Sequence, residues 1–145
     1  MFKHILIPVD GSLMAQKAVE KTVGLAQAFG SDVTLIYVID PFPFTGLGSD
    51  FGYGQAEYLS AASAEADEAT QAAQQVLRAG GVRAETMVVN AHSTWRGILD
   101  AATQVGADLI VMGSHGRHGL EKLVLGSVTQ RVLSHAHLPV FVVRE

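Results

Sequence analysis

The densest run of chemically useful residues lies between positions 113 and 127. The chain there reads Gly113-Ser114-His115-Gly116-Arg117-His118-Gly119, then Leu120 to Leu125, then Gly126-Ser127-Val128. Glycine lets the main chain approach a ligand closely and adopt positive φ, so several N–H groups can converge on the oxygens of an anion. Ser127 would add a hydroxyl at the start of a helix, whose unpaired N–H groups and dipole also favour negative charge. Arg117 would screen the outer phosphates, with His115 and His118 beside them. The same residues also suit a tight turn followed by a helix cap, with glycine needed for geometry alone. Local chemistry leaves both readings standing.

Asp10-Gly11-Ser12 is the second candidate, because it follows an apolar strand-like run. An Asp there either faces a ligand or caps the next turn. Its carboxylate repels bare phosphate, so a ligand role would be toward ribose hydroxyls, water or a metal. Better-known phosphate motifs are absent. No Gly-Lys-Ser/Thr step occurs, which excludes a Walker-type loop, and Gly52-Tyr53-Gly54 follows no strand and continues as Gln55-Ala56-Glu57. His115 with His118 and His135 with His137 form no H-E-x-x-H pattern. His4, His92 and His135 read as hydrogen-bonded structural residues, and Trp95 as packing. Ser114, His115 and Asp108 are too close in sequence for a triad, and without a G-x-S-x-G elbow no catalytic residue is assigned.

The elements that would position these residues are marked by apolar blocks rich in β-branched side chains: His4 to Val9, Val33 to Ile39, Thr86 to Val89, Leu109 to Met112 and Pro139 to Val143. Continuous rather than alternating hydrophobicity implies burial on both faces, as in a parallel sheet covered by helices. Between the blocks lie helical patterns. Ser12 caps the first, whose Ala15, Ala18, Val19, Thr22, Leu25, Ala26 and Phe29 recur every three or four residues until Gly30. Leu59, Ala62, Ala66, Ala69, Ala73 and Val76 mark the inner face of the second. Ser93 caps a third carrying Trp95, Ile98, Leu99, Ala102 and Val105, and a fourth after Gly126 carries Val128, Val132 and Leu133. Alternating strands and helices with right-handed crossovers predict an α/β fold, a single doubly wound five-stranded parallel sheet with helices on both faces. Asp40 to Gly54 reads as the one long irregular stretch, either a lid or a surface loop.

Composition sets the outer bounds. A chain of 145 residues fits one domain, 1–145, and buries an ordinary hydrocarbon core. Fourteen acidic residues against ten basic ones give a net charge of -4, without the basic stripe that nucleic acid requires. No cysteine is present, so disulfides and thiolate chemistry are excluded. No apolar run approaches a membrane span or a signal sequence, so the expectation is a cytoplasmic protein without a membrane or nucleic-acid partner.

Three separated stretches together resemble the universal stress protein family: Ile5-Leu6-Ile7-Pro8-Val9-Asp10-Gly11-Ser12, Ala107 to Gly116, and Leu138-Pro139-Val140-Phe141-Val142-Val143. The family's ATP-binding branch carries G-x2-G-x9-G-S/T, and Gly113, Gly116, Gly126 and Ser127 fill its fixed positions. The resemblance implies a Rossmann-like fold and an ATP site with possible accompanying Mg2+. In that site Pro8, Val9 and Asp10 would lie at the nucleotide, with Val38 presenting backbone groups to adenine. Met112, Gly113, Gly116, Gly126, Ser127 and Val128 would surround ribose and phosphates, with His115 and Arg117 alongside. It also implies a nucleotide-dependent regulatory or stress-response module acting on an unknown protein partner, and a homodimer through the C-terminal strand, where Val140 to Val143 is an apolar edge. Slow ATP hydrolysis is the alternative, since the loop offers only Arg117, His115 and His118 for phosphoryl transfer. A flavin-binding relative of the wider fold group is not indicated.

Overall fold

The computed structural model describes residues 1–41, 52–116 and 125–144, the side chains of 52 and 53 apart. Along the chain these form β1 (His4–Pro8), α1 (Leu13–Phe29), β2 (Asp32–Ile39), α2 (Gly52–Ala79), β3 (Ala84–Asn90), α3 (Thr94–Val105), β4 (Leu109–Gly113), α4 (Ser127–His135) and β5 (Val140–Val143). The five strands pair in parallel in the order β3-β2-β1-β4-β5. The sheet separates two apolar layers. Ile5, Ile7, Leu35 and Val111 face α1 and α2, while Leu6, Ile36, Ile98, Ile110 and Val132 form the layer under α3 and α4. This is the doubly wound arrangement that the alternating blocks predict.

Local chemistry explains both ends of α1. Ser12 caps α1 by accepting the Ala15 N–H (3.2 Å), and Gly30 ends that helix in the left-handed region at φ 66°. Ser93 stands at the N-cap of α3 but makes no side-chain cap bond. His4 is hydrogen-bonded to Thr34 Oγ1 (2.7 Å) and His135 to the Arg131 carbonyl (2.8 Å). Trp95 packs against the α3–α4 layer with its ring stacked on His135 at 4.3 Å.

Further expectations are corrected. Burial on both faces holds for β1, β2 and β4, whereas β3 and β5 are edges with exposed positions, including Val88 and Phe141. Gly52 to Gly54, expected in the irregular stretch, belong to α2; two glycines weaken a helix start, but packing along a helix of 28 residues outweighs them. The inward stripe of α2 also turns at its end. Leu77 is fully buried and Val76 is exposed, since 3.6 residues per turn carries a 3, 4 pattern past the core. Phe29 and Leu133 likewise lie partly in solvent, Phe29 against the edge of Phe2. Of the stretch Asp40 to Gly54, residues 42–51 lie outside the described residues.

Asp108 secures the entry to β1 and β4. Its carboxylate accepts the N–H groups of Lys3 (2.9 Å) and His4 (3.0 Å). Burial pushes its pKa up, but the hydrogen bonds from Lys3, His4 and its own N–H, with the N-terminal ammonium, prevail and hold it below its ordinary 3.8. A depressed pKa adds stability that is present above the unfolded value and is lost as pH falls through the folded one. Asp108→Ala is expected to lower the melting temperature by roughly 2–4 °C at neutral pH. The gap to wild type should close below pH 3.8, which melting curves across pH will check.

Candidate functional site

The sheet reverses its winding between β1 and β4. The chain leaving β1 enters α1 on one face, and the chain leaving β4 runs to α4 on the other. Such a reversal leaves a crevice beyond the carboxyl ends of the strands. A cavity of about 330 Å³ occupies it, within the size range of small-molecule sites. Pro8, Val9 and Asp10 form its β1 side and Val38 its β2 side. Met112, Gly113, His115 and Gly116 line it from β4, and Gly126, Ser127 and Val128 from the start of α4. Of the residues expected from the sequence, Arg117 alone is not placed there, because it lies outside the described residues with His118 and Gly119.

Six further described residues line the wall: Ser12, Ala15, Tyr37, Thr94, Ile98 and Thr129. Sequence reasoning missed them. Ser12, Tyr37 and Thr129 are close neighbours of expected residues, and their signal was adjacency. Thr94 and Ile98 arrive on α3, and only the strand order brings that helix to the cavity. Gly97 allows the approach, since a Cβ there would stand 2.9 Å from Ala91 Cβ and 3.2 Å from Val38 Cγ1.

The opening turn of α4 carries the electrostatics. Its first intrahelical bond runs from Gln130 N–H to the Gly126 carbonyl (2.9 Å), and the N-cap Gly126 has no side chain to accept a hydrogen bond. Ser127, Val128 and Thr129 line the cavity at this first turn, where a helix leaves its N–H groups without intrahelical acceptors, and among the described residues no side chain at the N-cap supplies one. Two bonds hold this turn to β4, Gly126 N–H to the Ser114 carbonyl (2.7 Å) and Thr129 Oγ1 to the Gly113 carbonyl (2.9 Å).

The motif glycines are needed for close approach, and positive φ plays no part, because none of the three adopts it. A Cβ on Gly113 would meet Met14 Cβ at 2.8 Å, one on Gly116 would meet Asp10 Oδ2 at 2.5 Å, and one on Gly126 would meet His115 Cα at 3.1 Å. These three glycines pack against the protein itself.

Val38 offers main-chain groups. In a parallel ladder successive residues turn their N–H and C=O to alternate sides. The Ile36 carbonyl accepts from Val9 and the Ile39 carbonyl from Ala91, so Val38 faces the β1 side, beyond the last β1 residue, Pro8. Asp10 makes the turn contact expected of it and lies at the cavity. It lines the cavity, and its Oδ1 accepts the Ser12 N–H (2.9 Å) at the entrance to α1. His115 Nδ1 lies 3.2 Å from Ser114 Oγ. His92 pairs with Asp40 at 3.3 Å, outside the cavity wall.

Comparison with known proteins adds the ancestry. The chain is 36% identical to a universal stress protein of Methanocaldococcus jannaschii over 146 residues, covering 100% of this chain and 84% of that one. The solved structure of UspA from Lactobacillus plantarum superposes with a TM-score of 0.88 at 30% identity, covering 99% of this chain and 98% of the other. The universal stress protein from Archaeoglobus fulgidus, solved in complex with dAMP, shares the fold at 23% identity and a TM-score of 0.67, with 99% and 98% coverage. A family model described as the universal stress protein family matches residues 1–144, and the chain belongs to that family.

Proposed function

We propose that this chain is an ATP-binding regulatory module, with adenine against the Val38 edge and the phosphates at the opening turn of α4. The observation that carries the reading is the uncapped start of α4 at a cavity set on the winding reversal. The spacing of Gly113, Gly116, Gly126 and Ser127 supports it, and the A. fulgidus protein shows that the fold can hold an adenine nucleotide. Magnesium would arrive with the phosphates, because no cluster of three or more ligating side chains forms among the described residues. Asp10 and His115, the carboxylate and the imidazole in the described wall, both make hydrogen bonds within the protein. The arrangement therefore favours binding over rapid turnover. The role is a change of affinity for a protein partner with nucleotide state, inside the cytoplasm.

Substitution at Gly126 would mix folding with binding, because its Cβ would press on the backbone of His115. Ser127 separates them. It is exposed and begins α4, where a carboxylate stabilises the helix but repels phosphate. Ser127→Asp is expected to keep or raise the melting temperature while weakening ATP at least about tenfold by calorimetry. An unchanged ATP affinity would remove the phosphates from α4. Ser127→Ala should weaken ATP by no more than about tenfold.

The Val38 edge predicts base selectivity. One main-chain donor and one acceptor match the N1 and N6 edge of adenine and mismatch the reversed pattern of guanine. ATP should bind more tightly than GTP, and equal affinities in the same titration would withdraw Val38 from base recognition.

The edge of β5 is proposed as the homodimer contact. Phe141 is 45% exposed on a strand that pairs only with β4 among the described residues. Light scattering should give a dimer at micromolar concentration for the wild type and a folded monomer for Phe141→Glu.

A further inference from the structure

A carboxylate at the wall of a phosphate site has the wrong charge for the ligand, and Asp10 is such a carboxylate. Both of its oxygens face the protein. Oδ1 accepts the Ser12 N–H at 2.9 Å, which fixes the side chain relative to α1. Oδ2 fills the space that a side chain of residue 116 would need, since a Cβ on Gly116 would lie 2.5 Å from Oδ2 and 3.7 Å from Cγ. This contact spans the crevice. The β1–β4 pairing covers only Ile5 with Leu109 and Leu6 with Ile110, so the two chain segments leave the sheet without a ladder between them.

We infer that Asp10 is a positioning residue: its carboxylate seats Gly116, after β4, against the turn after β1, setting the spacing of the two halves of the site, rather than holding ribose or a metal. The inference rests on the nucleotide reading above. Its consequence is a coupling between two positions. In Gly116→Ala the new methyl meets Oδ2, so either the loop lifts or Asp10 rotates and releases Ser12. With Asp10→Ala the same methyl has room. Residues in direct contact of this kind give non-additive double-mutant cycles.

The test is calorimetric titration with ATP and with adenosine, in Mg2+ and in chelator, of the wild type, Asp10→Ala, Gly116→Ala and the double variant, with melting temperatures recorded. Each single substitution is expected to weaken ATP about tenfold and leave adenosine within about twofold, in both buffers. The double variant should bind ATP no more weakly than Asp10→Ala. Asp10→Asn, which keeps an oxygen for Ser12 and a group of equal size against Gly116, should bind ATP within about threefold of wild type. A parallel loss of adenosine and ATP would place Asp10 on the ribose and overturn the inference. So would a loss confined to Mg2+, or additive effects in the double variant. If Asp10→Ala does not fold, Gly116→Ala and Asp10→Asn carry the same test through the difference between ATP and adenosine. A wild type that binds neither would overturn the nucleotide reading and this inference together, whereas the preceding outcomes leave that reading in place.

Discussion

The seam between β1 and β4 is the constraint on which the rest depends. Parallel strands must be joined by crossovers, and right-handed crossovers running outward from a central seam place their helices on opposite faces. Here α1 and α2 cover one face and α3 and α4 the other, so the segments leaving β1 and β4 diverge. The two central strands share only two residue pairs before they part. The crevice follows from the winding, before any residue in it is chosen.

The fold was legible because burial on both faces writes itself as unbroken apolar blocks, and β1, β2 and β4 are such blocks. Capping added the limits of α1 through Ser12 and Gly30. Where the reading slipped, a weaker local signal met a tertiary effect. Whether a strand is central or at an edge depends on its neighbours, so the exposed positions of β3 could not be read from its own letters. The start of α2 was hidden by Gly52 and Gly54, and the rotation of its stripe from Val76 to Leu77 is a drift that a short window cannot phase.

The candidate site divides in the same way. The glycine spacing and Asp10 belong to contiguous motifs, and they line the cavity. Thr94 and Ile98 belong to no motif, and the strand order alone brings α3 to the wall. The purpose of the glycines was also misjudged in part. The sequence suggests both close approach and positive φ; none of the three glycines adopts positive φ, and Met14, Asp10 and His115 occupy the space their side chains would claim. At Gly113, Gly116 and Gly126 the main chain packs against atoms of the protein itself, so whatever enters the cavity meets positions that are already close-packed.

A wall made of helix-end amides, a strand's main-chain edge and three absent side chains has an unusual relation to heredity. Amides are carried by every residue, so a neighbour on such a wall can change its side chain without changing the groups presented. What must be inherited at 113, 116 and 126 is emptiness. Chains of one fold can drift far apart in spelling, as the 30% identity beside a TM-score of 0.88 illustrates, while a single methyl added at 113 or 116 meets atoms already in place.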